Sequence, residues 1–143
     1  MKANELMIDD WVCFLVEETA EDIVRWDDRV VSINNTTDEV SSKHGIINGI
    51  ADLRPIRITA EILEKNGFKR EEEERGFSEP YCVYVNDDFQ YVVKVYPKDG
   101  MDRYSRLEIG EYDDSEHVSL LINHVHELQH AMRLAGINKE FTI

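Results

Sequence analysis

The chain has 143 residues, 42% hydrophobic and 32% charged, which suits one globular domain or two very small lobes and excludes a chain disordered by composition. Thirty acids against sixteen bases give a formal charge of −14, a surface that phosphate backbones repel, so nucleic acid is excluded as an ordinary partner and an unidentified protein is expected instead. No stretch approaches the ~20 apolar residues of a membrane span, and the opening MKANELMIDDW lacks the apolar run of a secretory signal, so a cytoplasmic protein with no membrane partner is expected.

In chain order, Asp9-Asp10 comes first as a turn, because aspartate tolerates left-handed backbone and bonds to its own main chain. WVCFLV (11–16) then reads as a strand, being apolar and rich in aromatic and β-branched residues. DIVRWDDRVVSI (22–33) predicts a second strand, open to a break at Asp27-Asp28. NNTTDEVSSK (34–43) is polar throughout and predicts an exposed loop. HGIINGI and DLRPIRI add short apolar segments, with Pro55 best placed at an edge or bulge. Short strands joined by tight turns predict a small N-terminal antiparallel β-barrel over residues 1–58. Cys13 and Cys82 lie in apolar, strand-like runs and are expected to be buried free thiols; two cysteines without a CxxC pair make neither a disulfide scaffold nor a zinc knuckle.

Thr59 is a good N-cap and Gly67 a natural left-handed stop after Asn66, so a helix is predicted between them, with Ile62 and Leu63 facing a core and Phe68 packing back. KREEEER (69–75) reads as a solvated loop or frayed helix end. YCVYVNDDFQYVVKVY (81–96) reads as a hairpin turning at Asn86-Asp87-Asp88, with Phe89, Tyr91, Val93 and Val95 on one face. YSRLEIGEY supplies a third strand with Leu107 and Ile109 on one face. A final helix is predicted from Asp114 or Ser115 to Gly136, because Val118, Leu121, Ile122, Val125, Leu128, Met132 and Ala135 recur at i, i+3, i+4 spacing. The fold class is therefore α+β: the barrel, a helix, a three-stranded antiparallel meander and a C-terminal helix, residues 59–143 forming an α+β lobe or continuing one domain with the first.

NHVHELQHAMRLAGI (123–137) contains H-E-x-x-H: His126, Glu127 and His130. On a helix, residues at i and i+4 share a face, so two imidazoles can hold one zinc ion while the glutamate acts on its water. A catalytic zinc also needs a third protein ligand and oriented imidazoles. The metzincin continuation fails, since Arg133 and Gly136 stand where glycine and histidine are required. Only thirteen residues follow His130, too few for a ligand on a further helix, and His124 points nearly opposite His126. A third ligand would have to come from His44, His117 or an acid elsewhere, which nothing in the sequence requires. At ~100° per residue, Glu127 falls almost opposite the stripe centred on Val125, and the motif lies on the polar side. These three residues are therefore the candidate metal site, but the expectation is no metal, no cofactor and no catalytic residue, with His126 hydrogen-bonding a neighbouring strand or loop. No G-x-S-x-G, Walker-type or G-x-G-x-x-G string competes.

Three stretches resemble a group of small bacterial proteins without an assigned function, common in gut anaerobes and their phages and mobile elements. The group opens A-N-E-L-x-I-G-x-x-V, matched here by Asn4, Glu5, Leu6, Ile8 and Val12, with Asp9 in place of the glycine. It continues P-I-x-L-T-x-E-x-L-x-x-x-G-F, matched by Pro55, Ile56, Thr59, Glu61, Leu63, Gly67 and Phe68. It ends in a helix carrying H-x-L-Q and L-x-G, matched by His126, Leu128, Gln129, Leu134 and Gly136. The resemblance implies a phage or mobile-element setting and brings no activity. The leading expectation is thus a non-enzymatic accessory or protein-interaction module. The alternatives are a zinc-dependent hydrolase using His126, Glu127 and His130, and an acidic nucleic-acid mimic. The oligomeric state is left open.

Overall fold

The computed structural model describes residues 5–18, 22–71, 83–86, 92–96, 105–110 and 117–143. The chain divides into two compact units. One holds the N-terminal strands and His124–His130; the other holds the segment from Ile58 to Asn123 and the chain from Ala131 to Ile143. No helix among the described residues is long and apolar enough to cross a membrane.

The first unit opens with the expected turn. Asp9 has φ 68°, and Asp10 N–H closes the turn on Met7 C=O at 3.3 Å. Five strands follow: β1 (Trp11–Glu18), β2 (Ile23–Asn34), β3 (Glu39–Ser42), β4 (Ile47–Gly49) and, after a 3-10 turn at Ile50–Asp52, β5 (Arg54–Pro55). They form one antiparallel sheet in the order β4-β3-β2-β1-β5. β2 runs through Asp27-Asp28 without a break, held by Cys13 and Val12 opposite, and its irregularity falls instead between Val30 and Ser32. The stretch expected to be a loop contains β3. Only alternate residues of E-V-S-S turn inward, so one valine, Val40, fully buried, is enough to seat it beside Ser42.

The sheet curls into a half-barrel, which is as far as the expected barrel goes. Val12, Phe14, Val30, Val40, Ile50 and Leu53 fill its concave side with Leu6. β5 is too short to extend the edge of β1 beyond Cys13, and Pro55 brings no donor. A side chain takes over there: Asn48 of β4 accepts from Leu15 N–H at 2.6 Å and donates to Leu15 C=O at 2.9 Å. Cys13 is half-buried rather than buried, because it lies on the convex face opposite Asp27.

In the second unit, α1 (Ala60–Lys65) starts as the sequence requires. Thr59 Oγ1 accepts from Ile62 N–H, and Gly67 at φ 80° ends the helix with Phe68 N–H bonded back to Leu63 C=O. Leu63 and Phe68 are buried. Asn66, also buried, sews down the C-terminal chain through both its amide atoms, which bond the main chain of Thr142. A second antiparallel sheet contains β6 (Lys69–Glu71), β7 (Val83–Asn86), β8 (Val92–Tyr96), β9 (Ser105–Gly110) and β10 (His117–Ile122) in the order β10-β9-β8-β7-β6. Leu107 and Ile109, expected on one face of their strand, are both buried.

Five strands thus replace the expected three. The charged run begins as β6, and the first third of the expected last helix is β10. The apolar run at 118–122 is short enough to fit either period, and it pairs with β9 residue by residue. Leu120 is 39% exposed, Leu121 69% and Ile122 3%, so Leu121 is more exposed than either neighbour. The helix that remains, α2, is Val125–Leu134. The expected caps Asp114 and Ser115, Cys82, residues 72–75, residues 87–91 of the expected hairpin and the side chains of Val93 and Val95 lie outside the described residues.

Candidate functional site

The site is built where α2 begins. Backbone pairing brings His124 opposite Arg57, and Val125 N–H bonds Ile56 C=O at 2.9 Å. His124 then stands at the N-cap, and Glu127, three residues on, reaches back to accept its N–H at 3.0 Å. That is the glutamate half of a capping box. The same carboxylate lies 3.3 Å from His124 Nδ1. Glu127, the expected general base of a zinc hydrolase, is engaged at the helix start.

His130 and His126 have different fates. His130 Nε2 lies 2.7 Å from Asp10 Oδ2, and that oxygen also accepts Met7 N–H at 2.7 Å. Asp10 is fully buried, so its charge is held by donors from the turn and from α2 together. His126 is buried, against the expectation that it flanks the helix on the polar side, and its Nδ1 has no hydrogen-bond partner among the described residues. The buried arc of α2 takes in Val125, His126, Leu128, Gln129, Ala131 and Met132, wider than the apolar stripe alone. Burial pushes the His126 imidazole below its usual value; Glu127 and Asp10 pull it back up, while His124 and His130 add to the depression.

The expected strand-binding job belongs to Gln129. Its Oε1 accepts Trp11 N–H at 3.0 Å, and its Nε2 donates to Asp9 C=O at 3.0 Å. The edge of β1 is therefore held at Trp11 by Gln129, at Cys13 by β5 and at Leu15 by Asn48. Sequence reasoning missed Asp10 and Gln129 as partners. The signal available was a glutamine directly after Leu128, at the margin of the apolar stripe.

Against the expectation that His124 points away from His126, their rings stack at 5.7 Å, and those of His126 and His130 meet edge to face at 5.9 Å. Even so, among the described residues no three His, Cys, Asp or Glu side chains are arranged to share a metal ion. A second buried carboxylate repeats the pattern of the first: Asp28 accepts from His44 Nδ1 at 2.9 Å, His44 N–H at 3.0 Å and Arg29 N–H at 2.8 Å. Burial pushes Asp28 up, but bonds from Ser42, Arg29 and His44 outweigh it and hold the carboxyl below its usual value. An Asp–His pair is part of a hydrolytic triad. Among the described residues, however, no hydroxyl or thiol is hydrogen-bonded to the other ring nitrogen of His44 or of His130. Cys13 is a poor nucleophile, its thiol pushed up to about 11 by burial and by the neighbouring Asp27.

Comparison of the chain with known protein families, with characterised proteins and with solved structures returned no match.

Proposed function

We propose that this chain is a non-enzymatic protein-interaction module, an accessory protein of the kind carried by phages and mobile elements and working in the bacterial cytoplasm. The observation that carries the reading is the use made of the one catalytic-looking string. Glu127 caps α2, His130 binds Asp10, and His126 is buried. Each residue has a structural task or place that zinc chemistry would have to undo. The sequence resemblance supports the mobile-element setting. The charge of −14 supports a protein partner over a nucleic acid.

Exposed apolar residues support the same class. Val16, Ile23, Val24 and Trp26 are all exposed towards the far end of the β1–β2 hairpin, where a monomer gains nothing from them. The test has two arms. Protein purified without a histidine tag is analysed for zinc, and a crosslinked pull-down from the native host is read by mass spectrometry. A protein recovered in fixed ratio, without stoichiometric zinc, is the expected result. Near-stoichiometric zinc that survives a mild chelator, and is lost in both His126→Ala and His130→Ala, overturns the reading in favour of the hydrolase.

A further inference from the structure

We infer that the open edge of β2, Ile23–Asp28, is a strand-addition site for an extended, cationic and apolar segment of a partner protein. The inference rests on the interaction-module reading and names its surface.

β2 is twelve residues long, yet β3 pairs with it only from Val30 to Asn34. Among the described residues, the bond from Lys43 N–H to Arg29 C=O is the last main-chain bond on that side. Among the described residues, no strand pairs with the same side of Ile23–Asp28. Alternation identifies the groups that face it. Val30 turns its N–H to Asp10 C=O and its C=O to Asp9 N–H, on the β1 side, whereas Arg29 turns to Lys43. Counting back by twos from Arg29, the main-chain groups of Asp27, Arg25 and Ile23 point to the open edge. Asp22 Oδ1 accepts Ile23 N–H at 3.1 Å, which leaves the Arg25 and Asp27 amides for an incoming strand.

Natural sheets block such edges with lysine, proline or a bulge. Ile23–Asp28 contains no lysine or proline, and neither nearby irregularity falls within it: one lies on β1 between Leu15 and Glu17, the other on β2 between Val30 and Ser32. Its one cation, Arg25, is turned away, donating from Nη1 to Asp52 C=O at 2.6 Å. Side chains supply anchors on both faces. Trp26 is 57% exposed although it pairs with Phe14, which is fully buried, and Ile23 on the opposite face is 55% exposed. Val24 shares the face of Trp26.

Charge decides the occupant. Asp22 and Asp27 flank the anchors, and Glu17 and Glu18 stand opposite Val24 and Ile23 on β1. A second copy would bring the same acids edge to edge on a chain of charge −14. A segment alternating cations with β-branched residues meets both the acids and the apolar anchors.

The probe is a fluorescent synthetic peptide alternating lysine with valine, about seven residues long to cover the edge at ~3.3 Å per residue. Controls are the glutamate–valine peptide and the lysine–valine peptide N-methylated at alternate amides. Variants are Trp26→Ala and Arg25→Pro, with circular dichroism to check folding. The expected result is saturable anisotropy with wild type, weakened roughly tenfold or more by each control and each variant. Arg25→Pro is the discriminating arm. It removes a cation, so charge attraction alone would tighten the cationic peptide, whereas a blocked edge loses it. Should that variant unfold, N-methylated peptide on wild type makes the same discrimination. Three results overturn the inference: no saturable binding, binding indifferent to N-methylation, or a concentration-dependent dimer abolished by Trp26→Ala. If the native partner still binds Trp26→Ala and Arg25→Pro, this edge is wrong and the interaction-module reading survives.

Discussion

Asp10 and His130 meet at 2.7 Å, a fully buried carboxylate at the start of β1 against an imidazole of α2, 120 residues apart in sequence. Met7 N–H shares the same carboxylate oxygen. Removing the imidazole leaves a buried charge short of a donor. His130→Ala is expected to cost about 1.5–3 kcal/mol in urea denaturation, the range for hydrogen bonds to charged groups. Combining it with Asp10→Asn should cost less than the sum of the two single changes. Strict additivity would mean that the pair is not coupled.

His126 sets a pH dependence whose sign follows from its burial. Its folded-state value lies below the usual 6.5, so the unfolded chain takes up the proton more readily. The stability due to a neutral His126 is whole above pH 6.5 and is lost as pH falls from there through the lowered folded value. Asp28 also has a lowered value, but its contribution is lost only below its usual 3.8. Thermal melts should therefore show a loss of stability beginning just below neutrality, and His126→Gln should flatten that part of the curve. An unchanged slope in the variant would assign the dependence to another group.

Leu128 and Leu121 were equivalent in the apolar periodicity and are opposites in the fold. Leu128 is fully buried and Leu121 is 69% exposed on β10. Leu128→Ala is expected to cost ~2–5 kcal/mol, as for other buried leucines. Leu121→Ala should change stability by no more than about 0.5 kcal/mol, as for exposed positions. Equal losses in parallel denaturant titrations would contradict the strand assignment of residues 117–122.

At Asp9 the backbone conformation is tested directly. A side chain at φ 68° is tolerated for aspartate and strained for a β-branched residue. Asp9→Val is expected to destabilise by about 1–2 kcal/mol, while Asp9→Gly should be neutral or mildly stabilising. A valine variant as stable as wild type would argue that the turn has another geometry.

Cys13 should resist alkylation in the folded chain. With its thiol pushed up to about 11 from 9.0, its thiolate fraction near neutrality falls roughly a hundredfold. In a Cys82→Ser background, iodoacetamide should label native protein far more slowly than protein in urea. Comparable rates would mean that Asp27 and burial do not suppress the thiolate.

What the sequence determined by itself is what neighbouring residues decide among themselves. The apolar run that became β1, the left-handed turn at Asp9, and α1 between the Thr59 cap and Gly67 each depend on contacts a few residues apart. The H-E-x-x-H string was equally visible, but not the Asp10 partner of His130 or the capping role of Glu127. Tertiary structure decided the rest. β3 needed only Val40 and Ser42 to face inward, which a polar segment conceals. β10 and α2 share one apolar spacing, and pairing with β9 together with the backbone bridge at Arg57 and His124 divides them. Gln129 and Asn48 complete the edge of β1 from distant places in the chain. An amide reads as surface until the unpaired main chain it must satisfy is in place beside it, because a buried donor without a partner costs more than the amide's own burial.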